Sequence, residues 1–221
     1  MTRPDAVVLT DHVLPQAPET LTRLEDGGVM LEIGPGGGFA LTHYAGRFPT
    51  ARVVGLEFDA RSVALARQTV AEAGVTERVE IRHGDANLLD EQETFDLVVM
   101  DITLHETGGP PEYLNVLHMN FTLHESGGPP EYLHGLQQSR HALKLSGTIL
   151  VSELPYPDSP GAYRENSVYK ALAGVQIHEA QVGCGAITQN ELRTLLSAAG
   201  FRNLRVAEQP LPTRFVMLAE K

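Results

Sequence analysis

The stretch Val29-Met-Leu-Glu-Ile-Gly-Pro-Gly-Gly-Gly-Phe-Ala40 decides the fold of this chain. It begins with a short apolar run, which predicts a buried strand, and continues with four glycines within residues 34–38, which predict a tight turn. A helix is predicted from Gly36 to Phe48. A glycine turn between strand and helix lets a ligand approach the backbone and the free N–H groups of the helix. The stretch therefore predicts the ligand-binding edge of an open α/β sheet.

Strand and helix patterns alternate after this turn. Further strands are predicted at residues 51–57, 78–83, 95–100, 147–153, 201–208 and 213–218, and helices at residues 60–73, 131–145, 163–173 and 188–200. This alternation predicts a doubly wound sheet with helices on both faces. We expect one domain over residues 1–221, with residues 1–27 as an N-terminal extension that holds one short helix, Glu19 to Asp26.

The composition limits the functions that the chain can have. The 221 residues carry a net charge of −11, which opposes binding to nucleic acid or to anionic lipid. The single cysteine, Cys184, excludes an internal disulfide and a zinc site made of cysteines. No apolar run approaches the roughly 20 residues needed to span a bilayer, and no signal-peptide pattern is present. We expect a cytoplasmic protein that acts on a small molecule.

Acidic residues stand where the predicted strands end. Glu32 closes the first strand, Glu57 closes the second, and Asp85 follows the third. A carboxylate only accepts hydrogen bonds and can take both hydroxyls of a ribose. Glu57 follows Gly34 by 23 residues, near the spacing of about 20 in nucleotide-binding βαβ units. The alternative is that these acids cap the next helix, as Asp59 is predicted to do.

The glycine spacing separates two classes of ligand. A dinucleotide fingerprint has glycine at the first, third and sixth positions of the turn, but the sixth position from Gly34 is Phe39. Phe39 therefore argues against a nicotinamide oxidoreductase. The pattern Glu32-x-Gly34-x-Gly36-x-Gly38 instead resembles the first motif of the class I methyltransferases that depend on S-adenosylmethionine (SAM).

This resemblance extends over roughly residues 28–221 and implies the fold and the cofactor site. The fold implied is Rossmann-like, with a mostly parallel seven-stranded sheet whose last strand is antiparallel. In that family the acid after the second strand binds the ribose hydroxyls and the acid after the third binds the adenine amine, which correspond here to Glu57 and Asp85. The SAM-binding residues implied by the resemblance are Glu32, Gly34, Gly36, Gly38, Glu57, Asp85, Ala86 and Asp101.

A tandem repeat of nineteen residues occupies 100–118 and 119–137. Each copy contains Thr-Leu-His-Glu, a Gly-Gly-Pro-Pro break and Glu-Tyr-Leu, which predicts a helix start. The first copy continues the fourth strand and the second leads to the helix before the fifth, so one copy is an insertion. It could form a lid, a wall of the substrate pocket, or a helix at the contact of a homodimer.

The repeat also contains the candidate catalytic residues. Leu104-His105-Glu106 and Leu123-His124-Glu125 resemble the motif that supplies the catalytic histidine in small-molecule O-methyltransferases of natural-product synthesis. An imidazole with a pKa near 6.5 suits removal of a proton from the acceptor, at about 3 Å from the methyl group. His105 follows the strand directly, so we favour it over His124. Glu153 matches a family carboxylate that would orient the ring. The alternative is that Leu-His-Glu only begins a helix.

We therefore expect methyl transfer from SAM to a small molecule, most simply to a hydroxyl group. The alternative is a SAM-binding protein that transfers no methyl and serves in assembly or in another reaction. Residues 1–27 do not match the large N-terminal dimerisation domain of the resembled enzymes, so the lid and the oligomeric state stay open. The candidates for lining an acceptor pocket are Tyr156, Tyr163, Tyr169 and Cys184, and the histidine spacing predicts no metal site.

Overall fold

The computed structural model describes residues 3–101, 129–181 and 187–221. Its strands are β1 (Val29–Ile33), β2 (Arg52–Glu57), β3 (Val79–His83), β4 (Phe95–Asp101), β5 (Leu143–Glu153), β6 (Arg202–Val206) and β7 (Phe215–Glu220). Its α-helices are α1 (Arg3–Val8), α2 (Pro18–Glu25), α3 (Phe39–Arg47), α4 (Ala60–Glu72), α5 (Pro129–Ala142), α6 (Ser167–Gln181) and α7 (Gln189–Ala198).

The strands of the described residues form one seven-stranded sheet in the order β3-β2-β1-β4-β5-β7-β6. Neighbouring strands from β3 to β5 pair in parallel, whereas β7 is antiparallel to both β5 and β6. This confirms the Rossmann-like, doubly wound sheet with an antiparallel last strand. Because β1 to β4 run in one direction, the glycine turn and the acids after these strands meet at a single edge of the sheet.

Two apolar cores cover the two faces of the sheet. One contains Leu31, Val98 and Val151 together with residues of α5 and α7. The other contains Met30, Val99 and the side chains of α3 and of the N-terminal helices. Since successive side chains of a strand point to opposite faces, this division tells which face each strand-end acid occupies.

The N-terminal extension contains more structure than the predicted short helix. Helix α1 continues into a π-helical turn, Leu9–Val13, and a 3-10 turn, Leu14–Gln16, before α2 begins. Its apolar side chains are buried in the second core: Ala6, Leu9, Val13, Leu14 and Leu24. Pro15 and Pro18 stand at the starts of the 3-10 turn and of α2, where no N–H donor is needed.

Several element boundaries differ from those predicted, and those of α5 and α6 have a clear physical reason. The helix expected at 131–145 ends at Ala142, because β5 begins at Leu143, which pairs with Phe95, and an irregularity follows before Thr148 resumes the ladder. The helix expected at 163–173 is a 3-10 turn, Pro160–Arg164, followed by α6. The side chain of Asn166 accepts the Tyr169 N–H at 2.9 Å and so caps α6.

Helix α5 comes from the second copy of the repeat. It begins at Pro129, and its side chains Tyr132 and Leu136 are buried in the first core. The two prolines of this copy thus stand at the start of a helix, as predicted. The first copy after Asp101 and the start of the second lie outside the described residues.

Candidate functional site at the carboxyl edge of the sheet

The glycine turn after β1 requires glycine at alternate positions. Gly34, Gly36 and Gly38 have φ of 70°, 53° and 78°, in the left-handed region that side chains disfavour. A Cβ at Gly38 would lie 3.0 Å from both Cα and Cβ of Ala66, whereas a Cβ at Gly36 would have nothing within 4 Å. Gly38 is therefore required for packing α3 on α4, and Gly36 leaves bare backbone open to a ligand.

The carboxylate of Glu57 is fixed against this turn. One oxygen, Oε2, accepts the Gly36 N–H at 2.9 Å, and Oε1 accepts the Asp59 N–H at 2.9 Å. Burial raises the pKa of Glu57, and the two backbone N–H groups oppose that rise. A carboxylate offers about four acceptor positions. Glu57 can thus bind its two backbone donors and still accept from the hydroxyls of a ligand.

Asp85 follows β3 and is partly exposed. Its Oδ1 accepts the Asn87 N–H at 2.8 Å and caps the 3-10 turn Ala86–Leu88. The predicted alternative, a capping role, is therefore present in the structure. Capping does not exclude ligand binding, because the second carboxylate oxygen adds further acceptor positions. The backbone oxygen of Asn87 also accepts a hydrogen bond at 3.1 Å, from Nε2 of His134 on α5.

Glu32 and Asp101 lie on the face that α3 and the N-terminal helices cover. Glu32 pairs with Val99 across β1 and β4, and Asp101 is two residues further along β4, so the two side chains share a face. Burial, followed by the charges of Asp101 and Glu57, raises the pKa of Glu32 to about 8. Among the described residues, Glu32 Oε2 has no hydrogen-bond partner. Such a buried carboxyl favours a cationic neighbour.

Glu153 lies on the opposite face. Asp101 pairs with Ser152 across β4 and β5, so the next side chain, Glu153, points away from the Glu32 side. Burial raises its pKa well above the ordinary value, Asp101 adds to this, and Arg214 opposes it. Its predicted partners, His105 and His124, lie outside the described residues, as does Cys184. Arg214 is thus a neighbour of Glu153 that the sequence analysis did not identify.

The tyrosines named as acceptor candidates belong to a small apolar cluster beyond β5. Tyr156 is buried there with Leu154 and Leu172, and Tyr163 and Tyr169 pack against them. The Tyr156 hydroxyl has no hydrogen-bond partner among the described residues. This placement agrees with a core role and leaves one buried hydroxyl beside Glu153. Burial raises the pKa of Tyr156, and the charge of Glu153 adds to the rise.

Two apolar side chains at the edge were missed by the sequence analysis. Phe58, directly after Glu57, is 41% exposed, and Leu88, at the end of the turn that Asp85 caps, is 79% exposed. Exposed large apolar side chains beside a crevice are typical of contacts with a flat ligand. The available signal was an aromatic residue immediately after the strand-end acid.

In residues 3–101, 129–181 and 187–221, no three His, Cys, Asp or Glu side chains stand where they could hold a metal ion together. Within the same ranges, no helix is long and apolar enough to cross a membrane.

Comparison with known proteins identifies the family. The release factor glutamine methyltransferase of Caulobacter vibrioides is 31% identical over 97 residues, which are 44% of this chain and 32% of that protein. The phosphatidylethanolamine N-methyltransferase of Cereibacter sphaeroides is 42% identical over 74 residues, 33% of this chain and 35% of that protein. The chain thus matches about a third of the length of these curated relatives.

The fold has a counterpart among solved structures. The structure of PigF with SAH superposes on this chain with a TM-score of 0.70 at 19% sequence identity. The match covers 99% of this chain and 55% of that chain. A family model described as a methyltransferase domain matches residues 24–200, which include the glycine turn and the strand-end acids. The chain therefore belongs to the methyltransferase domain family.

Proposed function

We propose that this protein transfers the methyl group of SAM to a hydroxyl group of a small molecule. The observation that carries the proposal is the joint geometry of Gly36 and Glu57. The glycine backbone is open on the ligand side, and the carboxylate is fixed beside it by the Gly36 N–H at 2.9 Å. A rigid acceptor next to bare backbone suits the ribose of an adenosyl group. Membership of the methyltransferase domain family supports the same cofactor.

Each strand-end group has a role in this proposal. Glu57 accepts hydrogen bonds from the ribose hydroxyls, and Asp85 accepts one from the adenine amine. Ala86 follows Asp85 in the loop that would bind the adenine. Gly34 and Gly38 keep the turn in the shape that presents Gly36. The buried carboxyls Glu32 and Asp101 are proposed to face the cationic end of SAM. Burial disfavours the charged form of both carboxyls and so raises their pKa, and a bound cation would favour the charged form again.

The transfer step is a direct displacement. The acceptor oxygen forms a bond to the methyl carbon while the carbon–sulfur bond breaks, and the electron pair stays on sulfur, which leaves as the neutral thioether of S-adenosylhomocysteine. The hydroxyl proton passes to a histidine, for which we propose His105 rather than His124. Glu153, at the end of β5, is proposed to orient that ring.

Cofactor binding is tested by calorimetry with S-adenosylhomocysteine. Wild-type protein should bind it, and Glu57→Gln should weaken binding roughly 10- to 100-fold, the effect of losing hydrogen bonds to a charged acceptor. The matched control is Glu80→Gln, because Glu80 is an exposed strand acid that pairs with Arg82. Absence of binding by the wild type, or equal affinity in Glu57→Gln, would refute the cofactor site.

The base is tested with labelled SAM and a panel of hydroxylated metabolites. His105→Ala should lower turnover by about 10²- to 10⁴-fold while affinity for S-adenosylhomocysteine stays the same. The repeat offers a rescue: deletion of residues 102–120 joins Asp101 to Phe121, so His124 then follows Asp101 by four residues, as His105 does in the native chain. The deletion variant contains no residue 105, and it should be active through His124. Full activity in His105→Ala together with loss in His124→Ala would assign the base to the second copy.

The same panel tests acceptor class and the alternative function. Methylation of amines with no methylation of alcohols or phenols would contradict the hydroxyl proposal. If S-adenosylhomocysteine binds and no acceptor in the panel is labelled, the result favours the alternative, a SAM-binding protein without methyl transfer. Light scattering of the same preparation tests the expected homodimer.

A further inference from the structure

The loop after β3 is held through one residue, Asn87, whose N–H and carbonyl groups both form hydrogen bonds. The Asn87 N–H donates to Asp85 Oδ1 at 2.8 Å, and the Asn87 carbonyl oxygen lies 3.1 Å from Nε2 of His134. Because a carbonyl oxygen can only accept, His134 Nε2 carries the proton and donates. The three residues therefore form a continuous chain of contacts from helix α5 to the carboxylate of Asp85.

Helix α5 is a firm support for this contact. Tyr132 and Leu136, on either side of His134 in sequence, are buried in the core cluster that also contains Ala86 and Leu89 of the loop. Helix and loop thus share apolar packing, and the imidazole adds a directed polar contact at the exposed rim. Packing fixes the distance between the elements, and the hydrogen bond fixes the orientation of the Asn87 peptide.

The repeat copies differ at this position. His134 aligns with Asn115 of the first copy, whereas Tyr132 and Leu136 align with Tyr113 and Leu117, which are the same residues. The apolar positions that support the helix are shared by both copies, but the imidazole that reaches Asn87 is present only in the copy that forms α5. The presence of the imidazole in one copy alone is therefore an observation separate from the apolar packing that both copies share.

We propose that His134 is a positioning residue for recognition of the adenine amine: by fixing Asn87 it holds Asp85 at the adenine edge. The inference rests on the proposed function, since it assumes an adenosyl ligand. A fixed carboxylate accepts from a 6-amino group and repels a 6-oxo group, because it cannot donate. His134 therefore sharpens selection of the adenosyl ligand over its inosyl analogue, and it does not contact the ligand itself.

The test compares two ligands, S-adenosylhomocysteine and S-inosylhomocysteine, by calorimetry. His134→Ala should weaken binding of the adenosyl ligand roughly two- to tenfold, as expected for one neutral hydrogen bond, with less change for the inosyl ligand. His134→Gln should restore the selectivity, because its amide N–H donates at a similar reach. The matched control, His141→Ala, changes an exposed histidine of the same helix and should leave both affinities unchanged.

The possible outcomes separate the positioning role of His134 from the proposed function. If wild-type protein binds neither ligand, the proposed function fails and this inference fails with it. If wild-type protein binds S-adenosylhomocysteine and His134→Ala keeps the wild-type ratio of the two affinities, only the positioning role is overturned. Equal weakening of both ligands would also overturn it, because a general loosening of α5 does not distinguish amino from oxo.

Discussion

Alanine substitutions at the three consecutive glycines of the turn should have three different effects. At Gly38, φ is 78° and a Cβ would lie 3.0 Å from backbone and side chain of Ala66. At Gly36, φ is 53° but the space is open. Gly37 is not among the residues with positive φ, and its Cβ would meet flexible side-chain ends, Leu65 Cδ2 at 3.1 Å and Phe39 Cε2 at 3.2 Å.

These differences set the expected losses of stability. A left-handed backbone costs a non-glycine residue about 1–2 kcal/mol, and forcing apart a packed helix pair adds about 1–3 kcal/mol. Gly38→Ala should therefore lower the free energy of unfolding by about 2–5 kcal/mol. Gly36→Ala should cost only the backbone term, about 1–2 kcal/mol. Gly37→Ala should cost less than about 1 kcal/mol, because flexible ends move and alanine reduces the entropy of the unfolded chain.

Urea unfolding and calorimetry with S-adenosylhomocysteine separate the two roles. Gly38→Ala should be the least stable variant, and Gly36→Ala should show the largest loss of affinity relative to its stability, because its methyl group occupies the open side of the turn. Gly37→Ala is the matched control for both measurements. The reasoning is refuted if Gly37→Ala unfolds as easily as Gly38→Ala, or if Gly36→Ala binds the ligand with wild-type affinity.

The remaining predictions concern buried charge. Burial raises the pKa of Glu32 from 4.5 to about 8, so between these pH values the folded state holds a proton that the unfolded state has lost, and stability falls as pH rises. Glu32→Gln should flatten that fall in urea titrations between about pH 5 and about pH 8.5; an unchanged slope would contradict the assignment. Asp96 accepts the Val29 N–H and pairs with Arg23 and Lys144, so Asp96→Ala should lower the free energy of unfolding by about 2–4 kcal/mol. Glu80→Ala, which breaks exposed pairs, should cost less than about 1 kcal/mol in the same urea assay, and equal losses would exclude a special role for Asp96.

Local patterns in the sequence predicted the sheet because each parallel strand carries its own signal. The glycine turn, the apolar strand at 95–100 and the helix within 188–200 all appear where expected. The N-terminal extension contains more helix than the one short helix expected. Its apolar residues Ala6, Leu9 and Val13 are spaced at three and four residues, a helical pattern that the prediction left out. The end of α5 was misjudged because the strand pairing of Leu143 with Phe95 is a long-range contact that no local pattern records.

The sequence predicts the candidate site only at positions where the residue type itself indicates a role in ligand binding. Alternating glycines and strand-end acids are such positions, and the structure brings Gly36 and Glu57 together. The burial of Glu32 and the proximity of Arg214 to Glu153 depend on packing between distant segments, so they could not be read from spacing. The contact of His134 with Asn87 joins residues 47 apart in sequence and is of the same kind.

Register divides the strand-end acids into two groups with different tasks. Glu32 and Asp101 share the face under the N-terminal helices, whereas Glu153 is on the other face, towards the tyrosine cluster of Tyr156. Because successive side chains of a strand point to opposite faces, the two groups can contact different parts of a bound ligand. The sulfonium of the proposed cofactor becomes a neutral thioether when the methyl leaves, whereas its ammonium group stays charged. The attraction of those carboxyls for the proposed cofactor therefore exceeds that for its product by the share that the sulfonium contributes. On the other face, burial and the charge of Asp101 raise the pKa of Glu153 despite the opposing charge of Arg214. No cationic ligand group is proposed there, so the proposed exchange of product for cofactor is governed by the Glu32 face.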